Sequence, residues 1–209
     1  MKKLGFGMMR LPLLNEEDKK SIDKKTVCQM VDTFMERGFT YFDTAYMYHE
    51  YESERAMKDV LVTRKDRDSY TLASKLPVMQ LKEKEDMERI FNEQREKCGV
   101  EYFDYYLLHA LDAEHYKTVK RLDCFGFAMQ KKAEGKVKHV GFSFHDSAEV
   151  LDQILTEHPE AEFVQLQLNY LDWEDAKVQS RKCYETAVKH GKKVVVMEPV
   201  KGGTLAKLP

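Results

Sequence analysis

The sequence predicts an α/β fold of parallel strands joined by helical crossovers, a (β/α)8 (TIM) barrel in which about seven strands are present and the eighth is missing. Three observations carry that expectation. Short apolar runs alternate with longer amphipathic stretches along the whole chain, with no linker, repeat or low-complexity segment between them. Such alternation implies strands that return in the same direction after each helix. The runs "VVVM" and "YYLLH" are apolar without alternation, as strands buried on both faces are. Finally, "GFGMMR" lacks the third glycine of a dinucleotide-binding turn and runs into "LPLLNEED" rather than a helix. That disfavours the open doubly wound sheet and leaves the barrel.

The elements follow in order. Residues 4–9, "LGFGMM", form the first candidate strand. Residues 23–39 place Val27, Met30, Val31, Phe34 and Met35 on one helical face, with Gly38 at the stop. "FTYFDTA" is the second strand. From Ser53 a helical stripe carries Ala56, Met57, Val60 and Leu61. "SYTLASKLP" is the third strand, ended by Pro77. Residues 83–99 form a helix with Met87, Ile90, Phe91, Gln94 and Cys98 in register and Gly99 as its stop. "FDYYLLHA" is the fourth strand. Residues 114–132 read as one long helix, closed by Gly135. "KVKHVGFSFHD" is the fifth strand, and Ser147 caps a helix bearing Val150, Leu151, Ile154 and Leu155. "AEFVQLQLNY" is the sixth strand, residues 175–191 a helix, and "KKVVVMEPVKGG" the seventh strand.

Composition narrows the function classes. The 209 residues are 43% hydrophobic and 33% charged, which suits one globular domain over residues 1–209. A formal net charge of -2 gives no basic footprint for nucleic acid. No apolar run approaches the roughly 20 residues of a membrane span, and "MKKLGFGMMRLP" has no signal-peptide core. Cys28, Cys98, Cys124 and Cys183 are widely spaced, which predicts free buried thiols and a cytoplasmic location.

A barrel gathers its chemistry at the C-terminal ends of its strands. Polar side chains stand at those ends here: Asp43, Lys75, His109, Ser143 with His145, Gln165 with Asn169, and Met197 with Glu198. Each follows an apolar run that carries it toward one rim. Taken singly, Asp43 and Lys75 also fit a buried structural ion pair.

In order and spacing, "FDTAYMYHEYESE", "ASKLP", "DYYLLHALD", "GFSFHD", "VQLQLNY" and "EPVKGG" resemble the aldo/keto reductase family, from "GFGMMRLP" to the end of the chain. The resemblance implies a (β/α)8 barrel that transfers hydride from a nicotinamide cofactor, usually NADPH with NAD possible, to a small-molecule carbonyl. The family's aspartate, with its tyrosine five positions later, matches Asp43 and Tyr48 and leaves Tyr46 outside. Its strand-end lysine matches Lys75 and its histidine His109. The resemblance assigns Gly7, Met8, Ser143, Gln165, Met197 and Pro199 to the cofactor, with Ser143 and Gln165 toward the nicotinamide carboxamide and Met197 against the ring. Phe144 stands where the family usually has asparagine, and His145 is placed to substitute. The chemistry is consistent with these residue types. A hydride attacking a carbonyl creates an alkoxide that needs a proton donor. Bringing a phenol from pKa ~10 toward 7 takes roughly 4 kcal/mol. An ammonium at about 4 Å supplies a similar amount at an effective dielectric near 20. The expectation is therefore a Tyr48 whose pKa is depressed by Lys75, with His109 orienting the substrate oxygen or relaying a proton.

Two other readings compete. His109, Asp112 and His115, with Asp43 and His145, could form a metal-dependent hydrolase site, though Lys75 and Tyr48 then lack a role. A non-catalytic scaffold or partner subunit of the same fold is the other. Among the remaining candidates, Tyr41, Tyr46 and Tyr51 read as packing or rim residues, His49 as a loop residue near the substrate mouth, and Trp173 as lining the substrate pocket or equally as a structural wedge. His115, His139, His158 and His190 read as ordinary surface residues. Glycines at 202 and 203 could approach a cofactor phosphate. A complete barrel needs about 250 residues. The chain is therefore expected to lack the eighth strand and the part that grips the adenosine, and any iron–sulfur segment beyond it. That predicts weak NADPH affinity and association through exposed strand edges.

Overall fold

A computed structural model describes residues 3–207. Seven strands form one sheet: β1 (Gly5–Gly7), β2 (Tyr41–Asp43), β3 (Thr71–Leu76), β4 (Phe103–Leu111), β5 (Val137–Phe144), β6 (Phe163–Gln167) and β7 (Lys193–Met197). Every strand pairs in parallel with its sequence neighbour, and β1 and β7 do not pair with each other. The curled sheet is an incomplete (β/α)8 barrel.

Side-chain alternation splits the apolar residues into two layers. The larger core lies between sheet and helices and includes Phe42, Leu72, Leu76, Tyr106, Leu108, Phe142, Phe144, Val164 and Leu166. A small cluster of Ala73, Leu107 and Phe163, with Tyr41, Tyr105 and Val195 against it, fills the concave face. Gly141 makes room for that cluster. A Cβ there would stand 2.4 Å from the Phe163 carbonyl oxygen and 2.7 Å from its ring.

The helices are α1 (Lys24–Glu36), α2 (Ser53–Met57), α3 (Lys84–Cys98), α4 (Ala113–Leu122), α5 (Cys124–Ala133), α6 (Ala148–Glu157) and α7 (Ser180–Lys189). The Asp23 carboxylate caps α1 by accepting from Thr26 N–H. Glu83 and Asp86 form a reciprocal capping box on α3, which ends at left-handed Gly99. The stripe expected after Ser53 is buried: α2 continues into a π-helical turn, Lys58–Val62, and Ala56, Met57, Val60 and Leu61 all face the core.

Four expectations need correction. The single helix expected over residues 114–132 is two. Asp123 adopts φ 59° and its carboxylate accepts from Gly126 N–H, so a new cap interrupts the old helix. A Cβ at Gly126 would lie 2.3 Å from that carboxylate, so glycine is what lets the cap form. The helix expected from residue 175 begins at Ser180, because Asp175 takes the N–H groups of Lys177 and Val178 into a local turn. The first strand shortens to Gly5–Gly7. The seventh ends at Met197, and Lys201–Ala206 forms a short 3-10 segment with Gly202 and Gly203 at positive φ.

Among the described residues no helix is long and apolar enough to cross a membrane. All four cysteines are free; Cys28 is half-buried and the other three are buried.

Candidate active site

The concave face carries a polar set at the C-terminal strand ends. Lys75 is its centre. The side chain is 1% exposed, and its ammonium donates to the Asp43 carboxylate, to the Thr44 carbonyl at 2.8 Å and to the Tyr48 hydroxyl at 3.2 Å. Those three acceptors use all three N–H groups of an ammonium. Tyr48 accepts from Lys75, so its own O–H remains free to donate elsewhere. Asp43 is held on its other oxygen by Gln165 Nε2 at 3.0 Å and by the Tyr41 hydroxyl at 3.3 Å.

His109 meets the Tyr48 ring edge-to-face, with centroids 5.7 Å apart. Its Nδ1 is buried and bonded to nothing in the protein. The next residue, Ala110, adopts φ 54°, and the register with β5 slips between Leu108 and Leu111. Ser143 Oγ accepts the Ala110 N–H at 2.7 Å and stabilises this irregularity. Bulges of this kind re-aim side chains near functional sites.

The electrostatics differ from the sequence expectation in one respect. Burial raises the Tyr48 phenol above its ordinary pKa, and the opposing pull of Lys75 does not overcome it. For Lys75, burial works against the ammonium, yet Asp43 and Tyr48 together hold its pKa above the ordinary value. Burial first, then the Lys75 charge, pushes His109 down to about 3. His109 is therefore a neutral imidazole at ordinary pH, which removes a charged proton relay.

The other phenols go elsewhere. Tyr46 donates to Glu93 at 2.8 Å, and burial followed by that carboxylate raises its pKa to about 12. Tyr51 accepts from Gln80 at 2.9 Å. Of the residues expected on the cofactor side, Ser143 and Gln165 are buried on the concave face, Met197 is half-buried, and Gly7 and Pro199 are exposed. Met8 departs from the expectation. It is fully buried in the outer core, and its backbone N–H and C=O are taken by Asp43 and Ser53. Phe144 is likewise in the outer core, while His145 is exposed beyond the strand end. Trp173 lies against Tyr184 of α7, 6.0 Å between rings. His158 is not an ordinary surface residue: its ring stacks on Phe125 at 4.0 Å. His139 packs against Tyr105 and bonds Glu162.

Sequence reasoning missed a second polar set directly behind Lys75. Glu54 of α2 is fully buried and accepts from Ser74 at 2.7 Å and from Gln94 at 2.8 Å. Gln94 also donates to the Lys75 carbonyl at 3.0 Å, and Tyr106 donates to Gln94 at 2.7 Å. Glu54 reads in sequence as one more charge in a helix, and only its spacing on the stripe with Met57 and Leu61 hinted at burial. Also unforeseen, Arg10 pairs with Glu198 at 2.8 Å across the side where β1 and β7 do not pair. Asn169 donates to both Asp172 and the Glu198 carbonyl, and Lys201 pairs with Asp172, so the loops after β6 and β7 are tied together.

A family model described as "Aldo/keto reductase family" matches residues 3–208. The chain belongs to the aldo/keto reductase family. Membership implies an oxidoreductase of the carbonyl-reducing type rather than a metal-dependent hydrolase. Asp112 instead caps α4 through His115 N–H at 2.6 Å. Solved structures of other aldo/keto reductases share the fold. A Pseudomonas aeruginosa protein classed with them has a TM-score of 0.74 at 19% identity, covering 93% of this chain and 72% of that one. One from Brucella melitensis has a TM-score of 0.69 at 20% identity, covering 95% and 68%. One from Klebsiella pneumoniae, solved in complex with NADPH, has a TM-score of 0.66 at 19% identity, covering 92% and 62%. No curated protein matches this aldo/keto reductase chain.

Proposed function

We propose that this site reduces a small-molecule carbonyl to an alcohol, with NADPH as the hydride source, NADH as a possible alternative, and Tyr48 as the proton donor. One observation carries the reading: the Tyr48 hydroxyl accepts from the buried Lys75 ammonium and keeps its own proton to give. A bound nicotinamide supplies the hydride. Ser143 and Gln165 suit its carboxamide. Ser143 Oγ has accepted one bond and retains its O–H, and Gln165 has a second N–H and a carbonyl oxygen beyond its bond to Asp43. Gly7, Met197 and Pro199 stand at the same rim.

As charge develops on the substrate oxygen, Tyr48 donates its proton, and Lys75 stabilises the phenolate left behind. Asp43, held by Gln165 and Tyr41, keeps Lys75 charged and in place. Neutral His109, edge-to-face with the Tyr48 ring at the rim, is suited to orient the substrate oxygen by a hydrogen bond.

The test is NADPH oxidation with a panel of aldehydes and ketones, together with fluorescence titration of NADPH. The Tyr48→Phe variant is expected to lose about 10²–10⁴ in kcat while binding NADPH with unchanged affinity. Turnover retained by Tyr48→Phe refutes the role of Tyr48.

A further inference from the structure

His49, Glu50 and Tyr51 follow Tyr48 directly and adopt φ values of 51°, 51° and 74°. None is glycine, and three consecutive L-residues in the left-handed region are sterically costly. Such a stretch persists only where its surroundings hold it. The turn is closed on itself by Glu52 N–H donating to the His49 carbonyl at 3.1 Å and Ser53 N–H to the Tyr48 carbonyl at 3.2 Å.

The His49 ring is the external lock. Leu11 N–H donates to its Nε2 at 3.1 Å, and its Nδ1 stands 2.9 Å from the Lys19 carbonyl. A backbone N–H can only donate, so Nε2 accepts, and Nδ1 carries the proton that Lys19 receives. The neutral ring thus bridges two points of the loop between β1 and α1. That loop is itself stiffened by the Leu13–Ile22 bridge and by Asp23 N–H donating to the Pro12 carbonyl at 2.9 Å. At the other end of the turn, Tyr51 accepts from Gln80, and its ring lies 5.3 Å from that of Tyr46. Ser53 then bonds Thr44 at 2.8 Å and the Met8 carbonyl at 3.2 Å. Both His49 bonds go to backbone groups of the neighbouring loop, and neither goes to Lys75 or Asp43.

We infer that His49 is a positioning residue: by locking the left-handed turn against the loop after β1, it holds the Tyr48 hydroxyl in reach of Lys75. The inference rests on the proposed role of Tyr48. It separates His49 from a residue that binds substrate, because a lock acts on kcat and leaves binding alone.

The test compares wild type, His49→Ala and His49→Gln in the full chain, by steady-state kinetics and by amide hydrogen exchange over residues 9–20 and 46–53. His49→Ala is expected to lower kcat about tenfold or more. Carbonyl KM and NADPH affinity should stay within about threefold, and exchange should rise in both segments. His49→Gln keeps an acceptor for Leu11 N–H and is expected to recover part of both effects. Unchanged kcat in His49→Ala overturns the inference. So does a raised KM at constant kcat, which marks a substrate contact. If His49→Ala does not fold, His49→Gln decides: lowered kcat with wild-type exchange overturns the lock, and lowered kcat with raised exchange supports it. If wild type reduces no carbonyl, the reductase reading fails separately. The lock is then judged by exchange, and wild-type exchange in both segments of the variants overturns it.

Discussion

Tyr48 differs from its neighbours in what its hydroxyl meets. Tyr46 and Tyr51 point to Glu93 and Gln80, Tyr41 to Asp43, and Tyr48 alone to the Lys75 ammonium. The five-residue offset from Asp43 was legible in sequence; the protonation state was not. Lys75 by itself argued for a depressed phenol, but burial raises the phenol more than the lysine lowers it. The sign of that balance sets a pH profile. A raised pKa keeps Tyr48 protonated through neutral pH, so the proposed acid is present throughout. Reduction should stay level through neutral pH and through the ordinary phenol range, while alcohol oxidation, which needs the phenolate, should rise with pH over the same range, about tenfold per unit. His109, with a pKa of about 3, adds no limb between. Rate–pH profiles in both directions check this; a reduction rate that drops near neutrality contradicts it.

At the scale of elements, the strand carrying Lys75 is backed by α2 and α3 through Glu54, Ser74 and Gln94. Glu54→Ala leaves the buried Ser74 hydroxyl without its acceptor, removes one of the Gln94 acceptors and opens a cavity, a loss of about 2–4 kcal/mol. Glu54→Gln keeps an acceptor and should cost less than about 1.5 kcal/mol. Its pH dependence differs as well. Burial raises the Glu54 pKa, so the folded state holds a proton that the unfolded state gives up above about pH 4.5. Stability from this group therefore falls as pH rises past that value, and Glu54→Gln lacks the slope. Urea unfolding of wild type and both variants at several pH values measures these effects. Periodicity marked α1, α3 and α6 correctly because their apolar stripes and caps are local. It failed at residues 114–132, where Asp123 and Gly126 start a second helix. The stripe continues across that break, and a cap chosen by one left-handed residue leaves little trace in hydrophobic spacing.

At the scale of the whole molecule, among the described residues β1 and β7 each pair with one neighbour only, and Val196 on β7 is 47% exposed. Unpaired strand edges template association. Sedimentation velocity is expected to show self-association over the micromolar range that Val196→Lys weakens, since a charged edge strand resists pairing. Concentration-independent sedimentation of the wild-type chain contradicts this. The sequence by itself determined the strand order and the placing of Asp43, Lys75, His109, Ser143 and Gln165 toward one rim of the strands, because the end of an apolar run is a local property. Only the tertiary structure decided that Gln165 holds Asp43 across 122 residues of chain, that Met8 turns into the core, and that His49 braces the turn after Tyr48. Those outcomes depend on distance, burial and backbone conformation between segments remote in sequence, and no local pattern encodes them.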